Sequence, residues 1–458
     1  MDTELLVIGG GPAGYTAALR AANRGVDATV VEADGLGGTC LNRGCLPAKG
    51  LLAATKLVRD AETAKGMGIY VEPYVDVGEL RDWVAGIVAG RVAGVERLCR
   101  ASGVDLVEGH ARFVDDDAVC VDDERRISFE HAVIATGSRP MHPQGFDPGD
   151  PPILDAGGAL SVDTVPGRLL VVGAGYIGLE LATVFARLGS GVTVIEARDR
   201  ALPRFGTDLV EPVVTAARDL GITFRFGERP TAWEREGGRV VVRTVTEDGT
   251  NEYTVDRVVV ATGRAPVTER LGLDTVPLTT DEKGFVVTDE RGRTEAERVF
   301  AVGDVAGEPM LAHAGIAEAK AVADRIAGHT TSGPTVTPAA VVTDPEIASV
   351  GATPETVRDR GTDPLVGQFP LSANGRALTR DATDGFVRIV ATEEGRIVGG
   401  QIVGPDASEL VGEIALAVER GATLAELGAS IHVHPTLSEA TMEAAERALG
   451  RAIHVRNT

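Results

Sequence analysis

The chain has 458 residues, a hydrophobic fraction of 43% and a formal net charge of −22. This length predicts about three domains, and the acidic charge argues against nucleic acid as a partner. No stretch approaches the roughly 20 apolar residues of a membrane span, and the start of the chain lacks a basic signal segment. We therefore expect a cytoplasmic protein with no membrane partner. The acidic, lysine-poor composition fits either a high-salt cytoplasm or a GC-rich coding sequence.

The chain begins with a predicted nucleotide-binding βα unit. The apolar strand 4–8 leads into the motif GGGPAG at residues 9–14, a helical pattern over 15–23, and a strand 28–31 that ends at Glu32. In such a motif the glycines allow a tight turn, backbone approach to a pyrophosphate, and close helix–strand packing, while the acid binds a ribose. We therefore expect a dinucleotide to contact Gly9, Gly11, Gly14 and Glu32.

The same unit recurs, which indicates an internal duplication. Strand 169–172, the motif GAGYIG at 173–178 and a helix over 179–188 are followed by a strand, 192–195, ending at Glu196. A second dinucleotide would contact Gly173, Gly175, Gly178 and Glu196. The Glu196 carboxylate would repel a ribose 2′-phosphate, so the second site favours NAD over NADP although Arg198 lies nearby.

Further strands are expected to complete the nucleotide units. Residues 131–140 and 257–266 are near-copies, each an apolar strand with a glycine turn, and residues 299–304 form a third strand that ends at Asp304. The Gly/Ser/Thr/Pro-rich segment 328–338 predicts a linker. A separate α+β domain is expected beyond it, with strands at 386–391 and 396–403 and helices at 408–420 and 436–449.

Four cysteines occur, and two of them, Cys40 and Cys45, are close in sequence. Residues five apart in a regular helix have Cα atoms roughly 8.6 Å apart, whereas a disulfide needs about 4.4 to 6.8 Å. A disulfide between them would therefore require an irregular turn, which Gly44 can supply. A helix is expected to start near Leu46, with Pro47 in its first turn.

The position of Cys45 at a helix N-terminus favours its thiolate. Zinc would need further ligands, and the chain has no second close cysteine pair. We therefore expect no metal, although two bystander thiols remain an alternative. Beside two dinucleotide sites, the pair suggests a redox function with FAD in one site and NAD in the other. The scattered Cys99 and Cys120 are interpreted as core or strand residues.

The stretch GGTCLNRGCLPAK at residues 37–49 resembles the pyridine nucleotide–disulfide oxidoreductases, and the resemblance extends over essentially the whole chain. Within that family the chain is most similar to the dihydrolipoamide dehydrogenases in the stretches 343–351, 373–376, 402–409 and 432–439. The mild departures are Leu46 and Ala48, where the family usually has isoleucine and serine, and Arg43, which replaces a small or apolar residue.

The resemblance implies an α/β fold with two Rossmann-like three-layer domains and a C-terminal α+β dimerisation domain. The implied FAD domain comprises residues 1–141 and 267–333, and the implied NAD domain comprises residues 142–266. The implied dimerisation domain is 334–458. The family forms homodimers, in which each subunit lends a histidine to its partner's disulfide.

The resemblance also implies residue roles. Cys40 would exchange with substrate, and Cys45 would face the flavin. Other implied positions are the acid–base pair His434 and Glu439, the flavin-flanking Lys49 and Glu180, the FAD contacts Ala111, Asp304 and Ala312, and the NAD contact Gly263.

The residues around His434 leave two interpretations open. His434 precedes Pro435, which would be the first residue of a helix, and the Glu439 carboxylate could orient the imidazole for proton transfer. Residues 436–439 also form a capping-box pattern. The resemblance favours the acid–base interpretation, and His432 is interpreted as structural.

The implied activity is oxidation of protein-bound dihydrolipoamide by NAD⁺ through a Cys40–Cys45 disulfide. The implied partners are lipoyl domains or the acyltransferase core of a 2-oxo acid dehydrogenase or glycine cleavage complex. The alternative activity is NAD(P)H-dependent reduction of a low-molecular-weight disulfide by the same cysteines.

Overall fold

The computed structural model describes residues 1–149, 152–330 and 336–457. The chain forms two compact units. Unit 1 is Met1–Pro166 with Asp256–Pro334, and unit 2 is Gly167–Val255 with Thr335–Thr458. Residues 331–335 of the predicted linker lie outside the described residues. The domain boundaries at 141/142, 266/267 and 333/334 stay a prediction.

The α-helices of the described residues are α1 (Pro12–Ala22), α2 (Gly38–Arg43), α3 (Cys45–Thr63), α4 (Val77–Ala101), α5 (Ala156–Ala159), α6 (Tyr176–Arg187), α7 (Thr207–Asp219), α8 (Ala312–Ile326), α9 (Pro354–Asp359), α10 (Gly375–Thr379), α11 (Ala407–Arg420), α12 (Leu424–Ala429) and α13 (Glu439–Ala448). None of these helices is both long enough and apolar enough to cross a membrane.

The strands are β1 (Asp2–Ile8), β2 (Ala28–Glu32), β3 (Asp105–Glu108), β4 (Ala111–Asp115), β5 (Ala118–Val121), β6 (Arg125–Ile134), β7 (Ser138–Pro140), β8 (Ile153–Leu154), β9 (Arg168–Val172), β10 (Gly191–Glu196), β11 (Thr223–Phe226), β12 (Arg229–Glu236), β13 (Arg239–Thr246), β14 (Gly249–Val255), β15 (Arg257–Val260), β16 (Arg264–Pro266), β17 (Val299–Ala301), β18 (Ala339–Val341), β19 (Glu346–Gly351), β20 (Leu365–Pro370), β21 (Phe386–Ala391) and β22 (Ile397–Gly404).

Unit 1 contains a sheet ordered β3-β2-β1-β6-β5-β4, and β17 pairs in parallel with β6. β1 pairs in parallel with both β2 and β6. Alternate residues of β1 enter different cores: Leu5 and Val7 pack with residues of α1, α4 and α8, whereas Leu6 and Ile8 pack with residues of β4 and β5. Both faces of β1 are covered along residues 5–8, and this part of its sequence is a continuous apolar run.

The two near-copy segments of unit 1 contact each other. After its glycine turn each segment forms a short strand, and these strands, β7 and β16, pair antiparallel with Arg264 opposite Pro140. The sequence predicted the strand and turn of each copy, and it did not predict this pairing.

Unit 2 contains a parallel group ordered β11-β10-β9 and an antiparallel sheet ordered β12-β13-β14. The later part of this unit is an antiparallel sheet ordered β18-β19-β22-β21-β20. Apolar side chains of α11 and α13, including Ile414 and Ala444, join Ile389 and Ile402 of that sheet in one core. The expected α/β class, with Rossmann-like sheets and a C-terminal α+β part, is confirmed.

The glycine-turn helices begin earlier than the sequence predicted. The first was expected at 15–23 and begins at Pro12, because proline fixes the φ angle that the first turn of a helix needs. The second was expected at 179–188 and begins at Tyr176.

Candidate functional site

The first glycine turn, between β1 and α1, combines two crowded glycines with one that faces open space. A Cβ on Gly14 would lie 1.8 Å from the carbonyl oxygen of Gly9, and a Cβ on Gly9 would lie 2.4 Å from the carbonyl oxygen of Ala135. A Cβ on Gly11 would meet nothing closer than the Gly38 Cα at 3.9 Å. Gly14 and Gly9 therefore serve close packing, whereas Gly11 leaves the start of α1 accessible.

The acid at the end of β2 is held by backbone donors. The Gly10 N–H donates to Oε2 of Glu32 at 2.6 Å, and the Asp34 N–H donates to Oε1 at 2.6 Å. The Gly109 N–H donates to the Glu32 carbonyl oxygen at 3.0 Å. The carboxylate is therefore fixed beside the glycine turn, and each oxygen keeps a lone pair for a further donor.

The second glycine turn, in unit 2, repeats this arrangement. A Cβ on Gly178 would lie 2.0 Å from the carbonyl oxygen of Gly173, and a Cβ on Gly175 would meet nothing within 4 Å. The Glu196 carboxylate accepts from the N–H groups of Ala174 at 2.8 Å and Arg198 at 2.9 Å.

Both turns fit a dinucleotide. The N-cap residues, Gly11 and Gly175, have no side chain to cap α1 or α6. The first N–H groups of each helix can therefore bind phosphate oxygens, which the helix dipole also favours. Each neighbouring strand end carries a carboxylate that could accept from a ribose hydroxyl, so the two sites suit FAD and NAD.

Asp304, a predicted FAD contact, belongs to a polar cluster in unit 1 that the sequence did not reveal. The Ser138 hydroxyl donates to the Asp304 carboxylate. The Arg264 guanidinium donates to the Ser138 hydroxyl at 2.7 Å and to the Ser138 carbonyl oxygen at 2.6 Å. Ser138 and Arg264 occupy matching positions directly after the glycines of the two near-copy segments. This repetition was the signal in the sequence that could have pointed to the cluster.

Three other predicted cofactor contacts also lie in unit 1. Ala111 begins β4 and is buried, and Ala312 begins α8. Gly263 lies in the turn between β15 and β16 with a φ of 142°, a conformation that favours glycine.

The close cysteines lie on either side of a helix break. Cys40 is in α2, α2 ends at Arg43, and α3 begins at Cys45. The intervening Gly44 has φ −140° and ψ −111°, and a Cβ there would lie 2.9 Å from the Thr39 carbonyl oxygen. The expected irregular turn is confirmed, and it places Cys45 at the N-terminus of a 19-residue helix.

Cys40 and Cys45 are not joined by a disulfide, and the two thiols are in contact. The contact with Cys45, followed by burial, raises the pKa of the Cys40 thiol, and the positive charge of Lys49 opposes this shift. Cys45 is the more exposed of the pair. Lys49 lies one turn into α3, so unit 1 brings both cysteines and a cation together.

Glu180 lies in unit 2, whereas Lys49 lies in unit 1. Glu180 is 4% exposed in α6, and one of its oxygens accepts from the Val342 N–H at 3.1 Å. The predicted flavin-flanking role of the two residues stays a prediction.

The histidine and glutamate expected to act together are in contact in unit 2. Nδ1 of His434 lies 2.8 Å from Oε1 of Glu439, and the Thr436 N–H donates to Oε2 at 2.7 Å. Burial would raise the pKa of Glu439, but the bonds from Thr436 and His434 outweigh it and lower that pKa. The His434 side chain is 78% exposed, so its other nitrogen can reach a substrate.

The helix after His434 was predicted to start too early. Pro435 is not its first residue, because α13 begins at Glu439 after a turn over residues 437–438. Only half of the capping box forms: the glutamate accepts from the Thr436 N–H, whereas the threonine hydroxyl donates to the Val433 carbonyl oxygen. Glu439 therefore combines a helix-start bond with a bond to the imidazole.

Two further histidines of unit 2 also contact carboxylates. His432 bonds Glu413 at 2.9 Å and the Ser430 carbonyl oxygen at 3.0 Å, and its side chain is 8% exposed, as a structural residue would be. Nδ1 of His454 lies 2.5 Å from Glu443. The sequence did not predict the second pair, because the partners come from α13 and the segment after it.

The chain is similar to known proteins over almost its whole length. Residues 3–319 match the pyridine nucleotide-disulphide oxidoreductase family, and residues 337–445 match its dimerisation domain. A dihydrolipoyl dehydrogenase of Haloferax volcanii is 50% identical over 99% of this chain and 98% of its own length. The corresponding enzyme of Geobacillus stearothermophilus is 40% identical, with coverage of 99% and 98%.

Solved structures agree with these relatives. LpdA from Mycobacterium tuberculosis matches with a TM-score of 0.91 and 28% identity, over 97% of this chain and 99% of its own. The HOCl-induced flavoprotein disulfide reductase RclA from Escherichia coli matches with a TM-score of 0.87 and 26% identity, over 97% and 99%. The dimerisation-domain match supports a homodimer. The chain therefore belongs to the pyridine nucleotide–disulphide oxidoreductases, an enzyme family that uses FAD and NAD.

Proposed function

We propose that this enzyme oxidises protein-bound dihydrolipoamide to lipoamide and reduces NAD⁺ to NADH. The observation that carries the proposal is the 50% identity, over 99% of the chain, to a dihydrolipoyl dehydrogenase. The helix-break cysteine pair and the His434–Glu439 pair supply the chemistry that such a reaction needs.

The cysteines take up the electron pair of the substrate by thiol–disulfide exchange. In the oxidised enzyme, one substrate thiolate attacks the sulfur of Cys40, the Cys40–Cys45 bond breaks, and Cys45 leaves as a thiolate. The second substrate sulfur then attacks the first substrate sulfur in the mixed disulfide. This step releases Cys40 as a thiolate and joins the two substrate sulfurs in lipoamide. One disulfide is formed and one is broken, and the N-terminus of α3 stabilises the departing Cys45 thiolate.

His434 of the partner subunit accepts the proton from the attacking dithiol. Its Nδ1 is bonded to the Glu439 carboxylate, which orients the ring and stabilises the imidazolium form. Because Glu439 also holds the Thr436 N–H, the carboxylate itself is kept in place.

The cofactors are assigned to the two glycine turns. FAD would be held by the first turn with Glu32 and by Ala111, Asp304 and Ala312, and NAD by the second turn with Glu196 and by Gly263. Lys49 and Glu180 would flank the flavin. When bound, FAD would supply the redox chemistry that links the reduced cysteine pair to NAD⁺.

The test is NAD⁺ reduction by dihydrolipoamide, followed by absorbance. Cys40→Ser is expected to reduce turnover at least about a hundredfold, because it removes the sulfur that the substrate attacks. The matched control is Cys120→Ser on β5, which should retain activity. Full activity of Cys40→Ser would exclude the disulfide mechanism.

A second candidate function is NAD(P)H-dependent reduction of a low-molecular-weight disulfide. The structural similarity to RclA, which is named a disulfide reductase, favours it. Turnover of cystine-type disulfides that exceeds turnover of lipoamide in the same preparation would select this alternative.

The partners follow from the first proposal. Protein-bound dihydrolipoamide would be presented by lipoyl domains, or by the acyltransferase core of a 2-oxo acid dehydrogenase or glycine cleavage complex. We infer a cytoplasmic location, where cellular reductants keep such a reactive cysteine pair from permanent oxidation.

A further inference from the structure

A buried carboxylate of unit 2 has no role in the reaction described above. Glu228 lies just beyond the end of β11 and is only 2% exposed. Its side chain accepts hydrogen bonds from the hydroxyl of Thr244, from the amide nitrogen of Asn251 at 3.0 Å, and from the hydroxyl of Tyr253 at 2.9 Å. The three donors belong to β13 and β14, so the antiparallel sheet anchors this glutamate.

The backbone of the same residue supports the acid of the second nucleotide site. The Glu228 N–H donates to the carbonyl oxygen of Glu196 at 2.9 Å, and the Gly227 N–H donates to the carbonyl oxygen of Arg198 at 2.8 Å. The Glu196 carboxylate in turn holds the N–H groups of Ala174 and Arg198. Hydrogen bonds that are joined through the backbone of Glu228 and Glu196 therefore connect the donors around the Glu228 side chain with the glycine turn.

The chemistry of the donors explains why a carboxylate is found there. A buried carboxylate is costly unless several donors satisfy it. Burial, together with the bond to Glu228, raises the pKa of Tyr253 to about 12, so its hydroxyl stays protonated and continues to donate. Thr244 is fully buried and donates from β13. An apolar side chain at position 228 would leave these donors unsatisfied and release the loop that they anchor.

We propose that Glu228 is a positioning residue, which fixes Glu196 for binding a ribose without a 2′-phosphate and so contributes to the choice of NAD over NADP. The inference rests on the role proposed for Glu196. Glu228 acts through the backbone of Glu196 and Arg198 and has no assigned contact with the nucleotide.

The experiment measures binding of NADH and NADPH by anaerobic titration calorimetry to the flavin-loaded protein, which is reduced beforehand with dithionite so that neither nucleotide can pass a hydride to the flavin. Glu228→Leu is expected to raise the Kd for NADH about fivefold, a change typical of losing one net hydrogen bond at the site. In the same variant, the ratio of the Kd for NADPH to the Kd for NADH should fall by a similar factor. Glu228→Gln keeps an acceptor oxygen for the three donors and should restore most of the affinity.

Two matched variants separate positioning from general destabilisation. Val241→Ala removes methyl groups from a buried residue of β13 that lies on the opposite face of the sheet from Thr244, and it should leave NADH binding unchanged. Thr244→Val removes one donor and should raise the Kd for NADH about twofold, and it serves as the test variant if Glu228→Leu does not fold.

The outcomes distinguish this inference from the proposal on which it rests. If the unsubstituted protein binds NADPH as tightly as NADH, the role of Glu196 is wrong and this inference fails with it. If that protein prefers NADH and folded Glu228→Leu binds NADH equally well, only the role of Glu228 is overturned. Equal weakening of NADH binding by Val241→Ala would also overturn the role of Glu228. Dihydrolipoamide is not needed, so the identity of the dithiol does not affect the result.

Discussion

The two glycine-turn units present their acids in the same way and support them differently. Glu32 and Glu196 each accept one N–H from within the glycine motif and one from two residues later. Behind Glu32, the supporting N–H belongs to Gly109, directly after β3. Behind Glu196, the supporting N–H belongs to Glu228. Glu228 is the second residue after β11, since Gly227 lies between them.

This difference agrees with the ligands proposed for the two units. The turn and the acid would have to match the pyrophosphate and the ribose that both proposed dinucleotides share. The N–H group that donates to the carbonyl oxygen of the acid only has to hold the end of the strand. Different residues can provide that group in the two units. In unit 1 the support is anchored at the surface, where exposed Asp122 accepts from the His110 N–H at 2.9 Å, whereas in unit 2 the buried Glu228 network provides the anchor.

The largest expected effect comes from the crowded glycine of each turn. Gly14→Ala should abolish FAD binding, and Gly178→Ala should weaken NADH binding at least about tenfold, because each new Cβ would lie within 2.0 Å of a carbonyl oxygen. Flavin content and NADH titration measure the two outcomes separately. Loss of flavin in Gly178→Ala would contradict the assignment of the two sites.

The open glycines provide the control. At Gly11 and Gly175 an added Cβ has no protein atom closer than 3.9 Å. Alanine at either position should leave the melting temperature of the cofactor-free protein unchanged while weakening binding of the corresponding nucleotide. An unchanged affinity would show that the ligand backbone does not approach these residues.

A moderate effect is expected at the acids. Replacing Glu32 or Glu196 by glutamine removes a charge-assisted bond to a ribose hydroxyl, which should weaken FAD or NADH respectively about tenfold. Equilibrium titration of each nucleotide into each variant measures the selectivity. Equal loss of both nucleotides in one variant would indicate unfolding rather than a local effect.

The units also differ in the reactive groups that they carry, thiols in unit 1 and an imidazole in unit 2. In the reduced cofactor-free protein, iodoacetamide should label Cys45 before Cys40. Cys45 is the more exposed thiol. The pKa of Cys40 is raised by its contact with Cys45 and then by burial, so less of Cys40 is thiolate. Binding of FAD should reverse this order if Cys45 faces the flavin. Peptide mass spectrometry identifies the labelled cysteine, and an unchanged order would contradict the assigned roles.

The smallest effect is expected from Glu439→Gln on stability. The pKa of Glu439 is lowered in the folded protein, so its ionised form stabilises the fold above the pKa of an unfolded glutamate, and that contribution is lost as pH falls through the lowered pKa. The variant should therefore melt slightly lower than the unsubstituted protein near neutral pH, and the two should converge in acid. A difference that persists in acid would mean that the carboxylate charge is not responsible.

The local patterns of the sequence predicted the two turns, their acids, the helix break at Gly44 and the proximity of His434 to Glu439. Each of these depends on residues close in the chain, whose spacing directly limits the geometry. The Ser138–Asp304–Arg264 cluster and the Glu228 network depend on contacts between distant segments. Tertiary pairing alone brings such residues together, so no local spacing could indicate them.

Helix starts were predicted less well than helix positions. Pro12 begins α1, whereas Pro435 precedes a turn and α13 begins at Glu439. A proline fixes only its own φ angle, and the residues after it decide whether a helix follows. The same residue type therefore gave opposite outcomes at the two sites.

The interleaving of the two units has a consequence for synthesis on the ribosome. The strand β17 completes its side of the unit 1 sheet by pairing with β6, although it follows β6 by more than 160 residues in the chain. At about 5 to 20 residues per second, β6 would wait roughly 8 to 30 s for this partner. The first unit therefore cannot close before most of the second glycine-turn region has emerged, and a chaperone that shields the waiting edge of β6 would be expected to increase the yield of newly made enzyme.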